Sequence, residues 1–205
     1  MHSATHENPF LDIQHPIQFD RMRAELVRPA VDTLLQDAQR GLEALEADAP
    51  TLDYDNTLLA LEQLTDALSR AMGVISHLES VATTTELREV YNEVQPRVSS
   101  FYSGIPLSSK LFERLQRFAQ SPAAAALDPT RARFLKKTLE SFVREGAALA
   151  PPDKARLQAI QVELVELTTR FSQNVLDSTN AYELVIEDAS RLAGLPERAR
   201  EAAKQ

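Results

Sequence analysis

The chain has no cysteine, and only five glycines among its 205 residues. Without thiols, disulfides and thiolate metal sites are excluded, and a reducing cytoplasm is the simplest compartment. Five scattered glycines assemble neither G-x-G-x-x-G nor G-x-x-x-x-G-K, so no phosphate-cradling loop is expected. No stretch approaches the ~18 consecutive apolar residues of a membrane span. The N-terminus MHSATHENPFLDIQH lacks the basic region and apolar run of a secretory signal. Basic charge is also in short supply, with 22 Lys and Arg against 30 Asp and Glu for a net charge of −8. Nucleic acids and anionic membranes need a basic face, so neither is expected as a main partner.

What the chain does have is helix-forming residues at helical spacing. Ala, Leu, Glu and Arg dominate, which favours helix over sheet. Residues 1–16 read as an extended arm. A short helical piece at Phe19–Val27 meets Pro29, which predicts a break near Arg28 and a new helix to about Ala47. The connector DAPTLDYDN offers Asp55 or Asn56 as a cap. From Thr57 to about Val81, Leu61, Leu64, Leu68, Ala71, Ile75 and Leu78 recur every three or four residues and mark one long helix. Thr83 with Glu86 fits a capping box for the next helix. That helix is expected to run to about Ser103, kinked at Pro96. Further helices are expected over Lys110–Gln120, from Asp128 as cap and Pro129 as first helical residue to near Gly146, and over Asp153–Asp177. YELVIED alternates like a short strand near 182–187. LAGLPERAREAAK then reads as a glycine stop, a proline restart and a final helix. The fold class is all-α, a bundle of long antiparallel helices with short connectors.

The usual carriers of chemistry are missing from the pattern. His2 and His6 are four apart but lie in the arm with no third ligand, and His15 precedes a proline. His77 has no second histidine in helical register, and a metal needs several converging ligands. There is no H-E-x-x-H and no G-x-S-x-G. Glu43 with Glu46 and Glu163 with Glu166 are spaced as helical pairs, but no histidine accompanies them, so they read as solvated faces. No catalytic, cofactor-binding or metal-binding residue is assigned within the chain.

One helix carries an unusual pattern. Leu157, Ile160, Leu164, Leu167, Phe171 and Val175 form one apolar stripe. Val162, Val165, Thr169 and Leu176 form a second, a third of a turn or more away. Two stripes imply contact on two sides. The helix reads as central in the bundle; the alternative is that part of its surface awaits a partner outside these 205 residues. Asn174 and Ser178, bordering the main stripe, are expected to satisfy backbone groups as the helix ends, with the asparagine amide buried.

Several blocks in order carry a resemblance. They are NPFL at 8–11, RAELVRPAVDTLL at 23–35, the long segment from Asn56 to Glu93, LTTRFSQNVLDSTNAYELVIED at 167–188 and LAGLPE at 192–197. Together they resemble the N-terminal region of oligopeptidase A and the thimet oligopeptidases, zinc metallopeptidases that cut short peptides. The likeness is weakest around 104–127. It implies a helical domain over 17–205 that forms one wall of a deep channel. It also implies a zinc ion held in the intact protein by an H-E-x-x-H motif and a downstream glutamate, all beyond this region. There the zinc would activate a water and the motif's glutamate would act as general base. The chain is then read as a non-catalytic fragment that binds no cofactor itself. Its partners would be the missing C-terminal catalytic domain and short peptides. The competing expectation is a free-standing helical module that binds a peptide or another protein on the same scaffold.

Overall fold

A computed structural model describes residues 8–47 and 49–203. His2 and His6, with the first seven residues of the expected arm, lie outside it. The helices are α1 (Ala24–Glu46), α2 (Ala60–Gln63), α3 (Asp66–Val81), α4 (Thr85–Gly104), α5 (Ser109–Ala119), α6 (Pro122–Ala125), α7 (Pro129–Arg144), α8 (Pro151–Ala181) and α9 (Glu197–Ala202). No strand occurs among the described residues, and the all-α expectation holds. No helix among them is long and apolar enough to cross a membrane. The chain divides into two compact units, residues 1–169 and 170–205.

From Asn8 onward the N-terminal stretch is anchored. The Asn8 side-chain amide donates to the Leu26 carbonyl (2.8 Å), and its oxygen accepts from the Phe10 amide (3.1 Å). This turn drives Phe10 into the core, where it is 1% exposed.

Pro29 does not break α1, contrary to the expectation from sequence. Proline removes one backbone hydrogen bond and crowds the carbonyl four residues back. Yet Val27, Ala30, Val31 and Leu34 are buried on both sides of it, and their burial keeps the helix continuous. The interruption falls earlier, between a 3₁₀ turn at Phe19–Arg21 and Ala24. The single helix expected from Thr57 to Val81 is instead broken. Asp55–Leu59 is a π-turn, α2 follows, and Leu64–Thr65 separates it from α3. The wider turn carries Thr57 and Leu58 into the core, while Leu61 and Leu64 stay half-buried. The start is capped reciprocally by Asp53 and Asn56: each side-chain oxygen accepts from the other's amide (2.7 and 3.2 Å). Asp53 is therefore the cap, not Asp55 or Asn56. Likewise α4 is capped by Thr84, whose hydroxyl accepts from the Leu87 amide (3.2 Å), one residue later than expected.

Helix α7 begins and ends as its sequence indicates. Asp128 accepts from the Thr130 and Arg131 amides (2.9 and 3.0 Å), and Pro129 follows. At the other end the Ala147 amide reaches the Phe142 carbonyl and the Gly146 amide reaches Val143, a Schellman closure. Gly146 has φ +105, and a Cβ there would meet Leu157 Cδ2 at 2.7 Å. Any other residue would be strained and would collide with the arriving α8.

Helices α3 and α4 run antiparallel. Glu79 pairs with Arg88 (3.9 Å) at one end, and the Tyr102 hydroxyl donates to the Thr65 carbonyl (3.5 Å) at the other. Helix α1 lies parallel to α4, as two ion pairs in register show: Arg28 with Glu93, and Asp32 with Arg97 (2.6 Å). The three helices enclose one apolar cluster around Phe10, Val31, Leu68, Ile75 and Val94. A second cluster joins Leu42 and Leu45 of α1 to Leu58, Leu111, Leu115, Phe118, Leu135 and Phe142. Phe101 and Tyr102 pack against both, so the core is continuous.

Candidate functional site

Helix α8 opens with Pro151 and Pro152, whose missing amides fall where a helix has no acceptor for them. Asp153 adds a negative charge in the first turn, which complements the helix dipole. Its inward face within the first unit is half-buried: Lys154, Gln158, Gln161, Val162, Val165 and Thr169. Lys154 Nζ donates to the Leu107 carbonyl (2.9 Å) and the Ser109 hydroxyl (3.0 Å), tying the start of α8 to α5. Val162 helps line an open groove of about 760 Å³ with Leu35, Phe101 and the Asp32–Arg97 pair.

The main stripe faces the other way. At 3.6 residues per turn, Ile160, Leu164, Leu167, Phe171 and Val175 lie roughly 140° from the inward set. They are exposed, from 50% at Val175 to 70% at Phe171, and no residue of α8 is buried. The expectation of a central bundle helix is thus overturned. The two-sided pattern is real, but only the second stripe and Leu157 at the start of the main one are partly covered, and the main stripe is exposed from Ile160 onward. Full burial of such a side chain contributes about 1.5–3 kcal/mol. Five half-exposed ones leave roughly 4–8 kcal/mol of apolar burial unrealised.

The helix end also differs from expectation. Asn174 and Ser178 are exposed, and no buried amide fixes the exit. The Thr179 hydroxyl bonds back to the Val175 carbonyl (2.8 Å) instead. Residues 182–188 are irregular rather than a strand. A strand needs a neighbour to satisfy its amides and carbonyls, and alternation alone supplies none. Tyr182, Leu184 and Val185 are left exposed, followed by Leu195 beyond the Gly194 turn.

The polar candidates do not converge. His77 is exposed and lies beside the Phe19 ring, with centroids 6.1 Å apart. Glu43 accepts from Gln39 (3.1 Å), and Glu46 accepts from the Ser108 hydroxyl (2.5 Å) that also caps α5. Glu163 and Glu166 are exposed on α8. Among the described residues no three His, Cys, Asp or Glu lie close enough to hold a metal ion.

Arg114 is the polar residue that sequence reading missed. It is 8% exposed, and its guanidinium donates to the carbonyls of Leu45 (3.2 Å), Ala47 (3.1 Å) and Asn56 (3.0 Å). It thereby closes the end of α1 onto the start of the π-turn. Its signal was available: Arg114 falls on the stripe of Leu111, Leu115 and Phe118, where an apolar residue is expected.

Beyond the core, the described residues present an exposed apolar surface on α8. A family model described as the N-terminal domain of neurolysin and thimet oligopeptidase matches residues 31–156. Haemophilus influenzae oligopeptidase A is 34% identical over 97% of this chain and 29% of its own length. An Arabidopsis thaliana protein named probable cytosolic oligopeptidase A is 33% identical over 92% of this chain and 27% of its own. Escherichia coli dipeptidyl carboxypeptidase is 30% identical over 97% and 30%. The chain therefore spans less than a third of the length of these relatives. With more than half of its residues matched by that model, the chain belongs to the neurolysin/thimet oligopeptidase N-terminal domain family.

Proposed function

We propose that residues 17–205 act as the N-terminal, channel-wall domain of a zinc-dependent cytoplasmic oligopeptidase that hydrolyses short peptides. The observation that carries this reading is the family match over residues 31–156, together with relatives named as peptidases that align along almost the whole chain. The described residues do not fit a zinc ion, because no three potential ligands converge. No hydrolytic step is therefore assigned to this chain. Zinc, water activation and peptide cleavage belong, on this reading, to a C-terminal catalytic domain. The helical wall contributes shape, admitting short unfolded peptides and excluding folded proteins.

The test is a chimera in which residues 1–205 replace the matched segment of H. influenzae oligopeptidase A. It is expected to cleave a short peptide but not the same sequence embedded in a folded domain. Residues 1–205 alone are expected to show no cleavage and to purify without zinc. Stoichiometric zinc in residues 1–205, or a soluble chimera without peptidase activity, would overturn the proposal.

A further inference from the structure

Charge is unevenly spread along this acidic chain. Residues 110–144 carry eight Lys and Arg against three Asp and Glu, while the remainder carries 14 against 27. Helix α7 holds most of the excess, with Arg131, Arg133, Lys136, Lys137 and Arg144 against Glu140 alone. Arg131 is engaged at the helix start, where it pairs with Asp128 (3.4 Å) and lies over the Tyr54 ring (4.4 Å). At 3.6 residues per turn the other four fall with Glu140 in an arc of about 100°, roughly 160° from the buried Leu135 and Phe142. All four are exposed. Glu140 pairs with Lys137 (2.6 Å) and Lys136 (3.9 Å). The hydrogen bond from Lys137, with the charges of Lys136 and Arg144, holds its carboxyl below the usual range. Arg133 and Arg144 make no ion pair among the described residues. Arg133 also stands three and four residues from Lys136 and Lys137, and like charges at those spacings weaken a helix. On α1 and α4, by contrast, opposite signs interlock, Arg28 with Glu93 and Arg97 with Asp32. Helix stability therefore does not account for the outward face of α7.

We infer that the outward face of α7, from Arg133 to Arg144, is a docking strip for a short acidic polypeptide segment. Charge complementarity and length select this occupant. Four cations surround a single carboxylate, and the two unpaired guanidinium groups stand at the ends of the strip. Each can hold a carboxylate through two parallel N–H bonds. Arg133 and Arg144 are 11 positions apart, about 16 Å along the helix axis. An extended chain covers that length in about five residues. A long nucleic acid fits less well. It carries a charge about every 1.7 Å and would run on over the rest of the chain, where acidic residues outnumber basic ones 27 to 14. A five-residue segment stays on the strip, and screening beyond roughly 8 Å mutes the acidic surface around it. The strip lies within the first compact unit. Docking there requires no catalytic part, so it stands or falls apart from the proposed function.

The experiment follows the fluorescence anisotropy of a fluorescein-labelled pentaglutamate peptide titrated with residues 1–205. Binding is expected at about 20 mM salt and is expected to weaken about tenfold by about 150 mM, as screening shortens the reach of the charges. Arg133→Glu together with Arg144→Glu is expected to weaken binding about tenfold or more, because both bidentate contacts are lost. The melting temperature is expected to stay unchanged, since both side chains are exposed. Arg23→Glu together with Arg70→Glu makes the same change of net charge on exposed residues outside α7. That pair is expected to weaken binding less than about threefold, as a screened long-range effect. No binding at low salt would overturn the inference. Equal weakening by the two pairs would assign binding to net charge and also overturn it. So would tighter binding of an oligothymidylate of about 20 nucleotides that the α7 pair abolishes, which would give the strip to nucleic acid. Self-association at low salt that the α7 pair abolishes would give it to a second copy, with the same consequence.

Discussion

The stretch from Phe10 to Ala147 and the stretch after it have similar apolar content and opposite fates. In the first, α1, α3, α4, α5 and α7 turn their stripes toward one another, and residues such as Phe118, Leu111 and Ile75 have no exposure at all. In the second, α8 carries an equally regular stripe and buries none of it. Periodicity is the same in both; what differs is whether a complementary surface lies within reach. A helical stripe is thus a statement about burial in the assembled protein, and this chain fulfils it over only part of its length.

That contrast is sharpest in stability. Phe118→Ala is expected to destabilise the chain by about 3–5 kcal/mol, because it opens a cavity where nothing can collapse. Urea denaturation followed by circular dichroism measures this. Arg114→Met is expected to cost about 3 kcal/mol, since the carbonyls of Leu45, Ala47 and Asn56 lose a charged donor inside the protein. A loss below about 1 kcal/mol would mean that water replaces the guanidinium there.

A smaller effect concerns pH. Hydrogen bonds from the Arg131 and Thr130 amides hold the Asp128 carboxyl below its usual range, with help from the Arg131 charge. Glu86 is lowered in the same direction by its own backbone amide and by Thr84. A depressed folded-state value stabilises the protein above the ordinary carboxylate pKa of about 4. That contribution disappears as pH falls through the lower folded value. Asp128→Asn keeps the cap but removes the titration, so its acid-melting curve is expected to be shallower than the wild type's. An unchanged curve would show that the cap does not depend on charge.

At the bottom of the scale, Phe171→Ser in residues 1–205 is expected to change stability by no more than about 0.5 kcal/mol, as for other exposed positions. A loss comparable to that of Phe118→Ala would break the comparison, because it would mean that α8 is held by contacts through its outer face.

Much of this contrast was legible in the residues, and the exceptions have physical causes. Helices α5, α7 and α8 follow from spacing, with Asp128–Pro129 and Gly146 marking the limits of α7. Cap positions slipped by one to three residues at Thr84 and Asp53, because adjacent Thr, Asp and Asn residues are equally competent acceptors until the backbone chooses. Pro29 misled because local propensity yielded to the burial of Val27 and Val31 around it. The uncovered state of α8 was not legible, since a stripe shows which side chains share a face and not what meets that face. YELVIED shows the same limit for a strand: Tyr182, Leu184 and Ile186 alternate correctly, but pairing requires a second strand. For the candidate surface, the two apolar stripes of α8 were legible, but the stripe that stays exposed was not.

The most direct test of the divided chain is amide hydrogen exchange on residues 1–205 and on the chimera. In residues 1–205, amides around Ile75 and Phe118 are expected to exchange only by global unfolding. Those from Ile160 to Val175 are expected to exchange about a hundredfold faster or more, through local opening of a helix with little tertiary cover. In the chimera the α8 amides are expected to slow toward core values. Equal protection of α8 and the core in residues 1–205, or no slowing in an active chimera, would contradict the account.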